Sequence, residues 1–214
     1  MNSLYADLSL RPQSTGDALE LLREAARLGY KLIAIEELEE LDKERISEES
    51  SKRGLTVVWR RTIASENRRG FREAARGRVG RLMVAEPLSL EAARFAASSK
   101  SFHLLRITPG MERLIDRSTK RLFSERGWGA IEVSLRLLLN NWGPREWRYY
   151  SVSLRRAHAY GLTTVIVSDA SRPEELWHPY SVIGVSAIAG LPGPLARRSI
   201  TSAPRVVASM LRVV

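Results

Sequence analysis

The sequence predicts an α/β fold of the TIM-barrel type. Three observations carry that expectation. Short apolar runs alternate with helical patterns over most of the 214 residues, and strict β-α alternation implies a mainly parallel sheet with helical crossovers. Seven such runs suggest a closed or nearly closed barrel, although seven strands followed by terminal helices make an atypical one. The clearest strands also alternate apolar and polar residues, as strands with an interior and a helix-facing side must. A doubly wound open sheet is the second choice. The length suits one ordinary domain, and no linker or internal repeat interrupts it, so 1–214 is read as a single domain.

The first strand is expected over 4–10. Leu4, Ala6, Leu8 and Leu10 form its apolar set, and Tyr5, Asp7, Ser9 and Arg11 the other. If the apolar set packs on helices, the polar set points inward or toward the strand end. A helix follows over 16–28 and a strand over 31–38. The link "EELEELDKERISEESSKRG" holds an acidic run and room for one short helix. Strands at 56–63 and 81–86 flank a helix at 67–77. Pro87 marks a strand exit, and Ser89 precedes "LEAARFAASSK", a helix of Ala-rich formers over 89–99. A strand at 103–108 and a helix at 111–126 come next.

The sixth strand, 130–138, alternates cleanly. Ile131, Val133, Leu135 and Leu137 oppose Glu132, Ser134 and Arg136. Pro144 stands at a first helical turn. Trp147, Tyr150, Leu154 and Ala157 then recur at 3, 4, 3 spacing, an apolar stripe that reads as core. Gly161 suits the end of that helix. The last strand is 163–168. After it only helical patterns remain, in "YSVIGVSAIAGL", "GPLARRSI" and "APRVVASMLRVV".

Composition narrows the chemistry. Hydrophobic residues at 44% with 27% charged residues fit a globular soluble chain. No apolar run is long enough to span a bilayer, and Asp7 interrupts any signal-like core, so a cytoplasmic location without membrane contact is expected. Cys is absent. That excludes disulfides, thiolate nucleophiles, Fe–S clusters and cysteine-ligated zinc. The three histidines, His103, His158 and His178, are too scattered for a His-rich metal site. No protein-bound metal or cofactor is expected.

The net charge is +10, and 29 of the 34 basic residues are arginine. A polyanionic partner follows, because arginines and lysines displace counterions from phosphates. The planar guanidinium also favours RNA contact, although a GC-rich or thermophilic genome gives the same bias. Between Arg60 and Arg81 lie eight arginines, at 60, 61, 68, 69, 72, 76, 78 and 81, opposed only by Glu66 and Glu73. Arg68, Arg72 and Arg76 step by four and share a helix face. Phosphate contact is favoured there over a merely solvated face. The acidic run 36–49 should avoid RNA, and it suits either a basic protein partner or solvent.

One stretch looks like an active site. In "TVIVSDASRPEELWHPYSV", a buried strand is followed by Ser168, Asp169, Ser171, Arg172, Glu174 and His178. Asp7, Ser9, Arg11, Thr108, Glu132 and Arg136 would join Ser168 and Asp169 at the C-terminal rim of a barrel, where barrel enzymes place their chemistry. Two readings stand. One is an active site, and the other is a structural network in which buried Asp7 and Glu132 pair with Arg11, Arg106 or Arg136. No nucleophile–base pair and no metal cage is evident, which favours the network and assigns no catalytic residue. Ser168 or Asp169 then caps a turn, and His178 marks a helix entry.

The segments "ADLSLRP", "GAIEVSLRLLLNNWGPREWRYYSVSLRRAHAYG" and "TTVIVSDASRPEELWHPYSVIGVSAIAGL" resemble the barrel-protein family of archaeal and eukaryotic ribonuclease P, protein component 3 in archaea and the 30-kDa subunit in humans. The likeness runs in order through the chain and is strongest from Ala130 onward. It implies a TIM-barrel-like fold. It further implies binding to the ribonuclease P RNA with a small α/β partner protein, other ribonuclease P proteins and precursor tRNA in the holoenzyme. The RNA cleaves the 5′ leader with Mg²⁺ on its own phosphates.

The resemblance points to Arg136 in "SLRLLL" and, in a variable stretch, Arg172 as RNA contacts. With Arg60, Arg61, Arg68, Arg69, Arg72, Arg76 and Arg106 they make the candidate set. The fold is also related to PHP phosphoesterases, whose first strand resembles Asp-x-His-x-His. Here Asp7 is followed by Ser9 and Arg11 at the two histidine places, and an arginine is hostile to a bound cation. A metal-dependent phosphoesterase of that class using Asp7, Glu132, Asp169 and His178 is therefore only the alternative.

Overall fold

The computed structural model describes residues 4–76, 80–140 and 142–211. Arg78, the end of the helix expected at 67–77 and residues 212–214 of the last expected helix lie outside them. Seven strands follow in order: β1 (Tyr5–Leu10), β2 (Tyr30–Glu36), β3 (Thr56–Ser65), β4 (Leu82–Pro87), β5 (Leu104–Arg106), β6 (Ala130–Ser134) and β7 (Thr163–Val167). All six neighbouring pairs are parallel and the sheet order is the chain order. The connections carry α1 (Thr15–Arg27), α2 (Lys43–Lys52), α3 (Arg68–Ala74), α4 (Leu90–Ser98), α5 (Arg117–Glu125), α6 (Arg136–Asn140) and α7 (Pro144–Ala159). Three helices end the described chain: α8 (Pro179–Ile188), α9 (Gly193–Ser199) and α10 (Ser202–Ser209). This is a seven-stranded, nearly closed barrel.

Local chemistry starts the helices where the sequence puts polar oxygens. Ser14, Asp42, Asn67, Ser89 and Asp116 each accept a backbone N–H three residues on, at 2.8–3.1 Å. Such caps satisfy donors that the first helical turn cannot. Pro144 opens α7, and Gly161 follows its end at φ +61°, a backbone state glycine adopts without cost.

Two hydrophobic clusters divide the strand faces. One joins Leu8, Ala34, Val58, Val84, Leu104, Ala130 and Val165 to Ala203, Val207 and Leu211. These are alternate residues from all seven strands, so they fill the barrel interior, with α10 covering the N-terminal strand ends. The other cluster joins the opposite strand faces, among them Ile33, Ile35, Ile131 and Val133, to the surrounding helices. The β7–β1 seam is only partly paired. A bridge joins Leu10 to Ala170, the Arg11 N–H donates to Ala170 O at 2.8 Å, and the Ala6 N–H donates to Ile200 O at 2.8 Å. The segment before α10 thus satisfies backbone that an eighth strand would otherwise pair.

Four expectations need correction. β6 stops at Ser134 and Arg136 begins α6, so Arg136 is not a strand residue. The span 111–126 is a single 3₁₀ turn, Glu112–Leu114, and then α5, because Asp116 caps a fresh start. Arg76 lies past the end of α3, so it does not continue the Arg68–Arg72 row on that helix. In β1 the sets are partly reversed. Ala6 and Leu8 face the interior, whereas Tyr5 and Leu10 pack with the helix-facing cluster. Register shifts on both sides of Ala6–Asp7 break the period-2 alternation there.

Candidate functional site

The interior positions at the C-terminal strand ends carry charge. β2 ends in Glu36, β3 holds Arg60, β4 holds Glu86, β5 ends in Arg106 and β6 holds Glu132. Backbone register sets Arg60 beside Glu36 and Arg106 beside Glu132. Arg60 is fully buried and grips Glu132 with two hydrogen bonds, 2.6 and 2.8 Å. It also donates to Leu8 O at 2.6 Å and to Glu36 at 3.1 Å. Glu36 in turn accepts from the N–H and hydroxyl of Thr62.

Arg106 links the rest. It donates to Glu132 at 3.0 Å, grips Asp169 with two nitrogens, and lies 3.2 Å from Glu86. Asp169 also accepts from the Ser9 hydroxyl, and Arg11 Nε lies 3.2 Å away. That Nε–H is not aligned for a hydrogen bond, so Arg11 contributes charge rather than a directed donor. Asp169 has φ +56°, the only non-glycine at positive φ among the described residues. Aspartate tolerates this state better than most residues, and here it turns the carboxylate into the barrel. Arg136 closes the rim, donating to Asp169 O at 2.6 Å and Ser171 Oγ at 2.8 Å.

The electrostatics follow from this pairing. Burial alone would push Asp169 up, but Arg106 beside it holds the carboxyl well below the usual carboxylate range. Burial opposes charge on Arg60 too, and Glu132 overrides it, so the guanidinium is held more firmly than usual. Asp7 differs, because it meets backbone rather than a guanidinium. Its oxygens accept N–H bonds from Ser9 at 3.0 Å and Ser168 at 3.1 Å. Burial dominates and pushes its pKa up to about 7.

A folded-state pKa above the unfolded value means that stability is full at low pH and falls as pH rises from about 4 to 7. His103 works in the opposite sense. Burial holds it down to about 4, so it costs stability as pH falls below about 6.5. Comparing wild type with Asp7→Asn isolates the first effect. From pH 5 to pH 8 the wild type is expected to lose a few kcal/mol more than the variant in urea unfolding, at about 1.4 kcal/mol per shifted pH unit. Parallel pH profiles would contradict it.

The other sequence candidates separate by exposure. Arg60 and Arg106 are corrected out of the contact set, because ion pairs bury both in the barrel. Arg81 pairs with Glu37, and Arg69 with Glu73 on an exposed face. Arg68 and Arg72 are exposed, and their guanidinium carbons stand 5.4 and 5.5 Å from the Phe95 ring centroid. Arg76 and Arg172 are also exposed, and Arg61 is half-buried. Within the acidic run, Glu36, Glu37, Asp42 and Glu49 are engaged locally, which leaves Glu39, Glu40, Glu44 and Glu48 facing solvent.

Ser168 caps its turn as expected, accepting the Ala170 N–H at 3.1 Å, and His178 caps α8 through Nδ1. Sequence reasoning missed Glu36 and Glu86 as members of the mouth. Their signal was position, since each is the charged residue at the end of an apolar strand.

Among the described residues, no group of three or more His, Asp or Glu side chains could hold a metal ion. The mouth carboxylates are already bridged by guanidiniums, and the Asp7 carboxyl is turned to backbone donors. A metal cage does not fit here.

Comparisons with known proteins place this architecture. The sequence pattern of the family described as RNase P subunit p30 matches residues 4–212. Ribonuclease P protein component 3 of Aeropyrum pernix is 42% identical over 190 residues, 87% of this chain and 88% of that protein. A chain in the cryo-EM structure of archaeal ribonuclease P with mature tRNA superposes with TM-score 0.74 at 19% identity, covering 95% of this chain and 90% of that one. A lactonase from Listeria monocytogenes superposes at TM-score 0.56 and 10% identity, covering 95% and 93%. The last two likenesses are of fold.

Proposed function

The chain belongs to the RNase P subunit p30 family, making it a protein subunit of the tRNA-processing endoribonuclease ribonuclease P, and we propose that its part there is to hold RNA rather than to cut it. The observation that carries this reading is the state of the barrel mouth. Where a barrel enzyme needs a free base, nucleophile or metal ligand, Glu132, Asp169 and Glu36 are each held by an arginine. The useful charge is instead outside, on Arg61, Arg68, Arg72, Arg76 and Arg172. Their guanidiniums suit phosphate oxygens, and Phe95 orients two of them.

The partners this reading names are the ribonuclease P RNA, the precursor tRNA on it, a small α/β partner protein and other ribonuclease P proteins. The Aeropyrum relative carries the component 3 name, and a chain of this fold is found in the archaeal complex with tRNA. On this reading the Mg²⁺ used in leader removal sits on RNA phosphates, and the mouth carboxylates stay engaged with arginines. The alternative, a PHP-like metal phosphoesterase, is not favoured, since Ser9 and Arg11 replace its histidines and both turn to Asp169.

The test is purified chain with precursor tRNA and Mg²⁺ or Mn²⁺, without any RNA subunit. No 5′ leader removal is expected. Cleavage that Asp7→Ala abolishes would establish the phosphoesterase instead.

A further inference from the structure

Trp142 lies between α6 and α7, beside the loop that leaves β7. Its ring stacks on Trp147 at 5.9 Å and 23°, and on Trp177 at 6.2 Å and 25°. Yet 58% of it is exposed. Despite two offset ring neighbours, more than half of this tryptophan's surface stays open to a further stacking partner. Below it, Trp147 and Trp177 are partly buried against the core, which anchors the stack. The Trp177 indole N–H is buried with no acceptor among the described residues, and native structures rarely leave such a donor unmet.

The segments that carry the stack also carry charge of both signs, with Glu146, Glu174 and Glu175 among the arginines. Arg145 and Arg148 flank Trp147 on α7, and Arg172 lies on the loop that leads to Trp177. All three side chains are exposed and make no ion pair among the described residues. An exposed π-face on a segment with unpaired arginines is a combination suited to unpaired nucleotides: the ring stacks a base, and arginines within reach of the strand hold its phosphates. A protein partner would need acidic groups placed to match these arginines, whereas RNA supplies an anion at every phosphate.

We propose that Trp142, supported by Trp147 and Trp177, is a stacking platform for an unpaired base of single-stranded RNA, with the unpaired arginines of the same segments, Arg145, Arg148 and Arg172, as its phosphate contacts. This rests on the RNA-holding reading and adds a second contact surface, apart from α3, that selects unpaired over duplex RNA.

Wild type, Trp142→Ala and Trp142→Phe are titrated against two labelled probes, a mixed-sequence single strand of about 12 nucleotides and the same sequence as a duplex. Trp142→Ala is expected to weaken single-strand binding about tenfold and leave duplex binding nearly unchanged. Trp142→Phe should retain most of the affinity, and single strand should quench wild-type tryptophan fluorescence. Equal single-strand affinity for wild type and Trp142→Ala overturns the platform. So does unchanged RNA affinity with lost capture of another ribonuclease P protein, which assigns the face to protein docking. Failure of the unchanged chain to bind either probe, or the ribonuclease P RNA itself, counts against the RNA-holding reading as well.

Discussion

Glu132→Ala is expected to destabilise the barrel by about 3–5 kcal/mol, the scale for removing one partner of a buried ion pair. Glu132 is the anion that Arg60 and Arg106 share, and all three are buried. Without it Arg60 keeps Glu36 at the rim and Leu8 O, but its two nitrogens lose their carboxylate in a dry interior. Urea unfolding measures the loss. The double variant Arg60→Met, Glu132→Leu should recover much of it, because Arg106 keeps Asp169 and Glu86, and Glu36, which loses its cation, stands partly exposed and keeps Thr62. A single variant as stable as wild type would show that the mouth is wetter and looser than its hydrogen bonds indicate.

Reversing Arg68, Arg72 and Arg76 to Glu is expected to have the opposite profile, with little effect on folding and a large effect on RNA. All three are exposed. Among the described residues their losses inside the chain are the contacts of Arg68 and Arg72 with Phe95, about 0.5–1 kcal/mol each. Affinity for the ribonuclease P RNA should fall at least about tenfold at low salt. The slope of log affinity against log salt should become shallower by roughly 0.7–0.9 for each phosphate contact removed. Unchanged affinity and slope would remove this segment from the interface. Arg60→Glu in the same stretch should instead unfold the protein, since it sets three carboxylates together in the core.

That contrast shows what the sequence could and could not disclose. "VVWRRTI" places Arg60 and Arg61 on opposite strand faces, but nothing local says which faces inward. The answer depends on Glu132, 72 positions away. The six inter-strand pairings were legible because parallel strands with helical crossovers leave few orders. The end of β6 was not, because "SLRLLL" fits a period of two as well as a helical turn and contains no breaker. β1 misled for a different reason, since its register shifts turn Ala6 and Leu8 inward while Leu10 keeps the helix face. Trp142 escaped notice because a loop residue belongs to no periodic pattern; only its stacking on Trp147 and Trp177, from separate elements, gives it meaning. The mouth network was half visible. Asp7, Ser9, Arg11, Glu132, Ser168 and Asp169 were marked, and Arg106 was named as a partner for the buried carboxylates as well as an RNA contact, whereas Arg60 was read only as an RNA contact.

The most direct measurement is reconstituted leader removal. Ribonuclease P RNA and a small α/β partner protein are assayed on precursor tRNA without this chain, with it, and with the Arg68, Arg72, Arg76 reversal. The chain should raise the cleavage rate at limiting Mg²⁺, the reversal should lose most of that gain, and Asp7→Asn, if folded, should keep it. Full stimulation by the reversal, or cleavage that depends on Asp7 and persists without the RNA, would contradict a subunit that holds RNA and leaves the cutting to it.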